Sequence, residues 1–145
     1  MKLKWDAKEL TNFGKRLTTS SYEFETKLMT ITKEIAKVLH DNILMNTPID
    51  TGNLRKMWSA GDNLKFTVEK VKGGYRVTLI NMAQNEYGFK YGLAVNDGHR
   101  TPTGGWVMGR FFVENSIIMT QNSYQLQKII YKELDKWIGW CVNGK

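Results

Sequence analysis

The chain holds one cysteine, two prolines and two histidines, and each scarcity closes off a class of protein. A lone Cys141 excludes an internal disulfide framework and any cysteine-based zinc cluster. One unpaired thiol also suits a reducing cytoplasm. With only Pro48 and Pro102, and no low-complexity run, nothing reads as linker or disordered tail. His40 and His99 lie far apart, with no His-x-x-x-His or Glu-x-His pair, so no metal motif is present. No stretch approaches the ~20 apolar residues of a membrane span. The first residues, Met-Lys-Leu-Lys-Trp-Asp, lack the apolar core of a signal peptide. The expectation is a protein that stays in the compartment where it is made, with no membrane partner.

Long runs of one charge are missing too. The net charge is +7, from 21 Lys and Arg against 14 Asp and Glu, but acids are interleaved throughout. No five or six basic residues stand together, so there is no basic arm. A mixed surface with a modest positive excess fits docking on an acidic partner. The alternative is a small basic nucleic-acid-binding protein, with aromatics stacking on bases and lysines on phosphates.

What is present is an ordinary globular composition, 41% hydrophobic and 24% charged over 145 residues. That length predicts one domain, residues 1–145, able to bury about two-thirds of its unfolded surface. Trp5, Leu10, Phe13 and Leu17 at helical spacing predict a short helix over Lys2 to Arg16 with Asp6 as cap. A break at Leu17 to Ser20 would set residues 1–19 apart as an N-terminal helical arm. Ser20 and Glu23 fit a capping box. Behind them, Phe24, Leu28, Ile31, Ile35, Val38, Leu39 and Ile43 form the stripe of a long amphipathic helix ending at Asn46. Lys27, Lys33 and Lys37 take the other face, and His40 reads as a favourable charge near the helix end.

The chain is organised around Asn46 to Trp58. Pro48 disfavours the α region at Thr47 and stops the long helix. Asp50 or Thr51 can cap a second, short helix over Thr51 to Ser59, with Leu54 and Trp58 on one face and Gly61 as its stop. From Leu64 the period becomes two. Runs on either side of Gly73-Gly74 predict a hairpin. Ala83 to Phe89 reads as a polar loop, and Tyr91 to Asn96 as a third strand. Asp97-Gly98 reads as a turn, His99 to Gly105 as a loop, and Trp106 to Met108 as a fourth strand. Phe111 to Thr120 reads as a helix. Asn122-Ser123 opens a last amphipathic helix carrying Leu126, Ile130, Leu134, Trp137 and Cys141, with Cys141 as a small core residue. The fold class is α+β: a small antiparallel sheet of three to four strands on two long amphipathic helices, with short helices besides.

Catalytic readings fail on context. Asp50-Thr51-Gly52 matches the aspartic-protease tripeptide, but a helix and Pro48 precede it and Asn53-Leu54-Arg55 follow, where that chemistry needs paired aspartates on apolar strands. Glu86, Asp97 and His99 lack metal-ligand spacing. A nucleophilic Cys141 would have to sit inside a helix stripe. Gly104-Gly105 lies outside any strand–helix phosphate loop. No enzyme, metal or cofactor is expected.

Two blocks carry a resemblance. Thr47-Pro48-Ile49-Asp50-Thr51-Gly52-Asn53-Leu54-Arg55 resembles the Thr-Pro-hydrophobic-Asp-Thr-Gly-x-Leu-Arg signature of a tailed-bacteriophage family. Its members are small neck or tail-completion proteins, also called head–tail joining proteins. Asp97-Gly98-His99-Arg100, Gly104-Gly105-Trp106-Val107 and Gly109-Arg110-Phe111-Phe112 resemble that family's second segment, Glu-x-Gly-His … Gly-Gly-x-Val-x-Gly-Arg-Phe, in the same order. The blocks and the strands between them cover about half the chain. The resemblance implies a small antiparallel sheet flanked by helices and a structural role in a tailed phage, prophage or phage-tail-like particle. It further implies a ring, hexameric in the particle, that meets the tail tube protein on one face and a head-side connector or stopper on the other. DNA would pass through without sequence-specific binding. The protein would be assembled in the bacterial host cytoplasm and reside in the virion neck. The chain departs from the pattern at Asn96, where the family usually has Glu.

Tyr87, Lys90, Tyr91, His99, Arg100, Trp106 and Arg110, with Arg55 and Trp58 behind them, form the expected interface. Aromatics and arginine are the types enriched at interface centres, and the glycines and Pro102 hold this segment at the surface.

Overall fold

A computed structural model describes residues 7–50, 52–59 and 65–143. Its first element is α1, Ala7–Asn46, a single helix of 40 residues. At 1.5 Å per residue it runs about 60 Å. The break expected at Leu17 to Ser20 is absent. Thr18, Thr19 and Ser21 turn their hydroxyls back onto the carbonyls of Gly14, Lys15 and Thr18, and buried Ser20 bonds Leu17 O at 2.6 Å. Hydroxyls that cap a helix from outside can equally be satisfied inside one, which is how the Ser20 capping signal is absorbed. Asp6 and Trp5 lie outside the described residues.

The predicted stripe is the core face of α1, with Ile31, Ala36, Val38 and Ile43 buried. Two further helices cover it, α4 (Phe112–Gln121) and α5 (Tyr124–Asn143). Their cross-contacts run in reverse order along α1. Asn46 meets Ser116, Asn42 meets Thr120, Lys27 meets Glu133, Phe24 meets Trp137 at a tilt with ring centres 4.9 Å apart, and Arg16 donates to Cys141 O. α4 and α5 therefore form one broken rod antiparallel to α1. The break falls at Asn122-Ser123, and Ser123 Oγ caps α5 by accepting from Leu126 N at 3.1 Å. Cys141 is buried as expected. Lys27 belongs to this seam and not to the outer face, since Glu133 draws its ammonium in to 3.0 Å. His40 is buried too, with Asp41 Oδ1 3.5 Å from its Nδ1. α4 turns Ser116 and Thr120 inward and leaves Ile117, Ile118 and Met119 exposed. Asn42 and Asn46 of α1 explain this inversion, because their amides need buried hydroxyl partners.

Among the described residues the strands form three separate two-stranded antiparallel ribbons, where the sequence suggested one sheet of three to four strands. β1 (Trp58–Ser59) pairs with β4 (Ile80–Asn81), so the short helix ends before Trp58. β2 (Thr67–Val71) and β3 (Gly74–Thr78) are the predicted hairpin, with Gly73 taking the positive φ of its tight turn. Tyr75 docks the hairpin on α1 by donating to Glu25 O at 2.9 Å. β5 (Gly98–Arg100) pairs with β6 (Trp106–Met108), so His99 and Arg100 lie on a strand and not in a loop.

Tyr91 to Asn96 corrects the strand reading: Gly92–Asp97 is a helix, α3. Its alternation of apolar residues is not followed by burial. Leu93 is exposed, while Tyr91 and Val95, four apart, pack together on the core of Leu54, Ala83 and Phe112. That spacing is helical. Burying Phe112 alone stabilises the fold by about 1.5–3 kcal/mol. The class is α+β, dominated by helix.

Candidate docking surface

The first block is a device for stopping α1 and turning the chain. Thr47, almost fully buried, donates its hydroxyl to Ile43 O at 2.6 Å. Gly52, in the left-handed region at φ 80, starts α2 (Asn53–Lys56), and no side chain caps it. Asp50 is exposed, Thr51 lies outside the described residues, and Gly52 itself stands at the N-cap position. Leu54 enters the core. Arg55 reaches back to accept-only groups, donating to Met45 O and Thr47 O at 3.2 and 3.0 Å. These are end carbonyls of α1, which lack helical partners and favour a cation. Trp58 donates Nε1 to Thr47 Oγ1 at 2.9 Å and meets Phe112 edge-on at 6.2 Å.

The second block is held by backbone contact. A Cβ on Gly98 would stand 2.5 Å from Val107 O, and one on Gly109 would run into the Asn96 and Asp97 backbone. Only glycine fits where two backbone segments approach this closely. Asn96, the departure from the family pattern, is buried at the junction. Its Oδ1 accepts from Val113 N at 3.0 Å, while its Nδ2 donates to Glu114 and Asp97. Phe111, at φ 50, precedes α4 with no side-chain cap of its own, so Asn96 caps that helix from α3.

The two blocks meet across an open cleft of about 690 Å³, with Ile49 and Asp50 from the first, Arg110 from the second, and Asn85, Tyr91 and Val95 between them. Among its described lining residues Asp50 is the one carboxylate. Among the described residues no group of three or more His, Cys, Asp or Glu side chains is placed to hold a metal ion. No helix among them is long and apolar enough to cross a membrane.

The nine interface candidates divide by direction. Arg55, Trp58 and Tyr91 are half-buried and held from within, Tyr91 by an Asn53 amide at 2.9 Å. Tyr87, Lys90, His99, Arg100, Trp106 and Arg110 are exposed. Around them stand Phe89 and two residues the sequence did not single out, Leu93 (73% exposed) and Met108 (74% exposed). Leu93 was hidden by the strand reading of its segment, and Met108 by its place in a short ribbon, where one face is normally covered. Trp106, Val107 and Met108 are all exposed, so β6 covers neither of its faces. The segment from Tyr87 to Arg110 is thus a ridge of exposed apolar and basic side chains: Tyr87, Phe89, Lys90 and Leu93 precede the second block, and His99, Arg100, Trp106, Met108 and Arg110 lie within it.

No curated protein and no solved structure matches the chain. A family model does, over residues 10–98, more than half of the sequence, and its description reads "Bacteriophage HK97-gp10, putative tail-component". The match takes in the whole Thr47–Trp58 block and ends at Gly98, so Trp106 to Phe112 lies beyond it. The chain belongs to the HK97-gp10-like family of phage tail components.

Proposed function

We propose that this protein is a virion structural component that completes the head-proximal end of a phage tail as a ring of identical copies, sixfold in the particle. Family membership supports the tail assignment. The ridge from Tyr87 to Arg110 carries the finer reading. Exposed apolar patches of this kind mark association sites, and arginine beside aromatics is the chemistry of binding hot spots. The ridge would dock on the neighbouring copy in the ring, with the tail tube protein on one face and a head-side connector or stopper on the other. Head-to-tail contacts close into a ring when the rotation permits. The net charge of +7 favours acidic partner surfaces.

The test is reconstitution. Tails lacking this protein, mixed with the purified chain and imaged by electron microscopy, should gain a ring of density at one end. Density along the whole tube, or none, would contradict the assignment. Salt-sensitive DNA binding by the free protein would favour the nucleic-acid reading instead.

A further inference from the structure

α5 carries two faces. One packs on α1 through Glu133, Trp137 and Cys141. On the opposite side Tyr124, Lys128, Tyr131, Asp135, Ile138 and Val142 follow at four-three-four-three-four spacing, and all six are exposed. At 100° per residue they lie within about 80° of one another around the axis. Tyr124, Tyr131, Ile138 and Val142 are 75, 66, 50 and 57% exposed, an apolar stripe along five turns. Soluble helices normally place polar residues there. The two charges on the stripe are of opposite sign and flank its centre, and among the described residues neither has an ion-pair partner in its own chain.

We propose that this face pairs with the same face of a second copy, antiparallel about a two-fold axis near Tyr131. That arrangement sets Lys128 of each copy against Asp135 of the other, and Tyr124 against Ile138 and Val142. The parallel alternative would oppose Lys128 to Lys128 and Asp135 to Asp135, and like charges so placed repel. The stripe is thus self-complementary in one orientation only, which identifies its occupant as another copy of this chain. The contact is isologous, unlike the head-to-tail contact of a ring, and stands whether or not the ring reading holds. A helix about 30 Å long covers less than the ~800 Å² per partner of a standard interface. The pairing is therefore weak in solution, and is strengthened where copies are concentrated.

Sedimentation equilibrium up to millimolar protein tests it. The wild type should show a monomer–dimer equilibrium at tens to hundreds of micromolar. Lys128→Asp and Asp135→Lys, each replacing two attractive pairs by two repulsive ones, should weaken it about tenfold. The two substitutions combined in one chain should restore it to within about threefold. Orientation is read by cross-linking. Tyr131→Cys should oxidise to a linked dimer, whereas Tyr124→Cys should not, since its two copies would stand about 20 Å apart. A wild type monomeric throughout would overturn the proposal. So would charge-reversal variants that dimerise like wild type, or a Tyr124→Cys chain that links as readily as Tyr131→Cys.

Discussion

Trp58 donates its indole N–H to the hydroxyl of Thr47 at 2.9 Å, and the same hydroxyl donates onward to Ile43 O. One threonine thereby fixes the end of α1 to the first strand. Thr47→Val keeps the shape and removes both bonds. With the indole N–H left unpaired, a loss of about 1–3 kcal/mol is expected. For a chain of this length that is a fall in melting temperature of about 3–10 °C, measurable by circular dichroism.

Gly98→Ala and Gly109→Ala should each be more severe than an exposed-loop substitution. Both force a Cβ into backbone atoms of the facing segment. At Gly98, φ 90 with ψ 170 is a region that only glycine normally enters, and a side chain there adds strain of about 1–3 kcal/mol. The β5–β6 ribbon should detach, seen as a change in Trp106 fluorescence and faster amide exchange over residues 98–108, while Gly104→Ala, with open space about it, should leave the ribbon paired.

Asn96→Asp converts a donor into a carboxylate beside Asp97 and Glu114. The variant should lose about 1–3 kcal/mol at neutral pH. Repulsion among the crowded carboxylates pushes their protonation above the usual carboxylate range, so the deficit against wild type should narrow as pH falls towards about 4. Thermal melts between pH 3.5 and 7 check it.

Hydrogen bonds from Lys27 and then Lys136 hold the Glu133 carboxyl below its usual range. A depressed carboxylate contributes stability that is complete above the unfolded value and is lost as pH falls through the folded one. Glu133→Gln should therefore cost up to about 1 kcal/mol near pH 7. The difference from wild type should close in acid, as the native carboxylate is protonated.

The parts legible in the sequence are those where one local rule dominates. The α1 stripe from Phe24 to Ile43, the Gly73 hairpin, the Ser123 cap and the inward Cys141 follow from periodicity or a single turn residue. Where two rules compete, long-range contact decides. Ser20 has the makings of a cap, yet its hydroxyl is satisfied within a helix that α5 supports along its length. Leu93 alternates like a strand residue, yet Tyr91 and Val95 must reach one core together. The motif blocks were legible as corners, and their structural reasons were not. Arg55 closing α1, Asn96 capping α4 from outside, and the Gly98–Gly109 approach each join residues beyond the reach of a helical or strand period. Six of the nine interface candidates are exposed, and three form the frame behind them.

The ridge is the centre of the functional account, and its variants are surface changes that leave the frame intact. Trp106→Ala combined with Arg100→Glu should give a chain with native helix content and a melting temperature within a few degrees of wild type. The decisive measurement is complementation, counting finished particles by electron microscopy when this variant replaces the wild type in a host producing all other components. Unfinished tails with no ring at the head-proximal end are expected. Complete particles at the wild-type yield would contradict the docking role of the ridge.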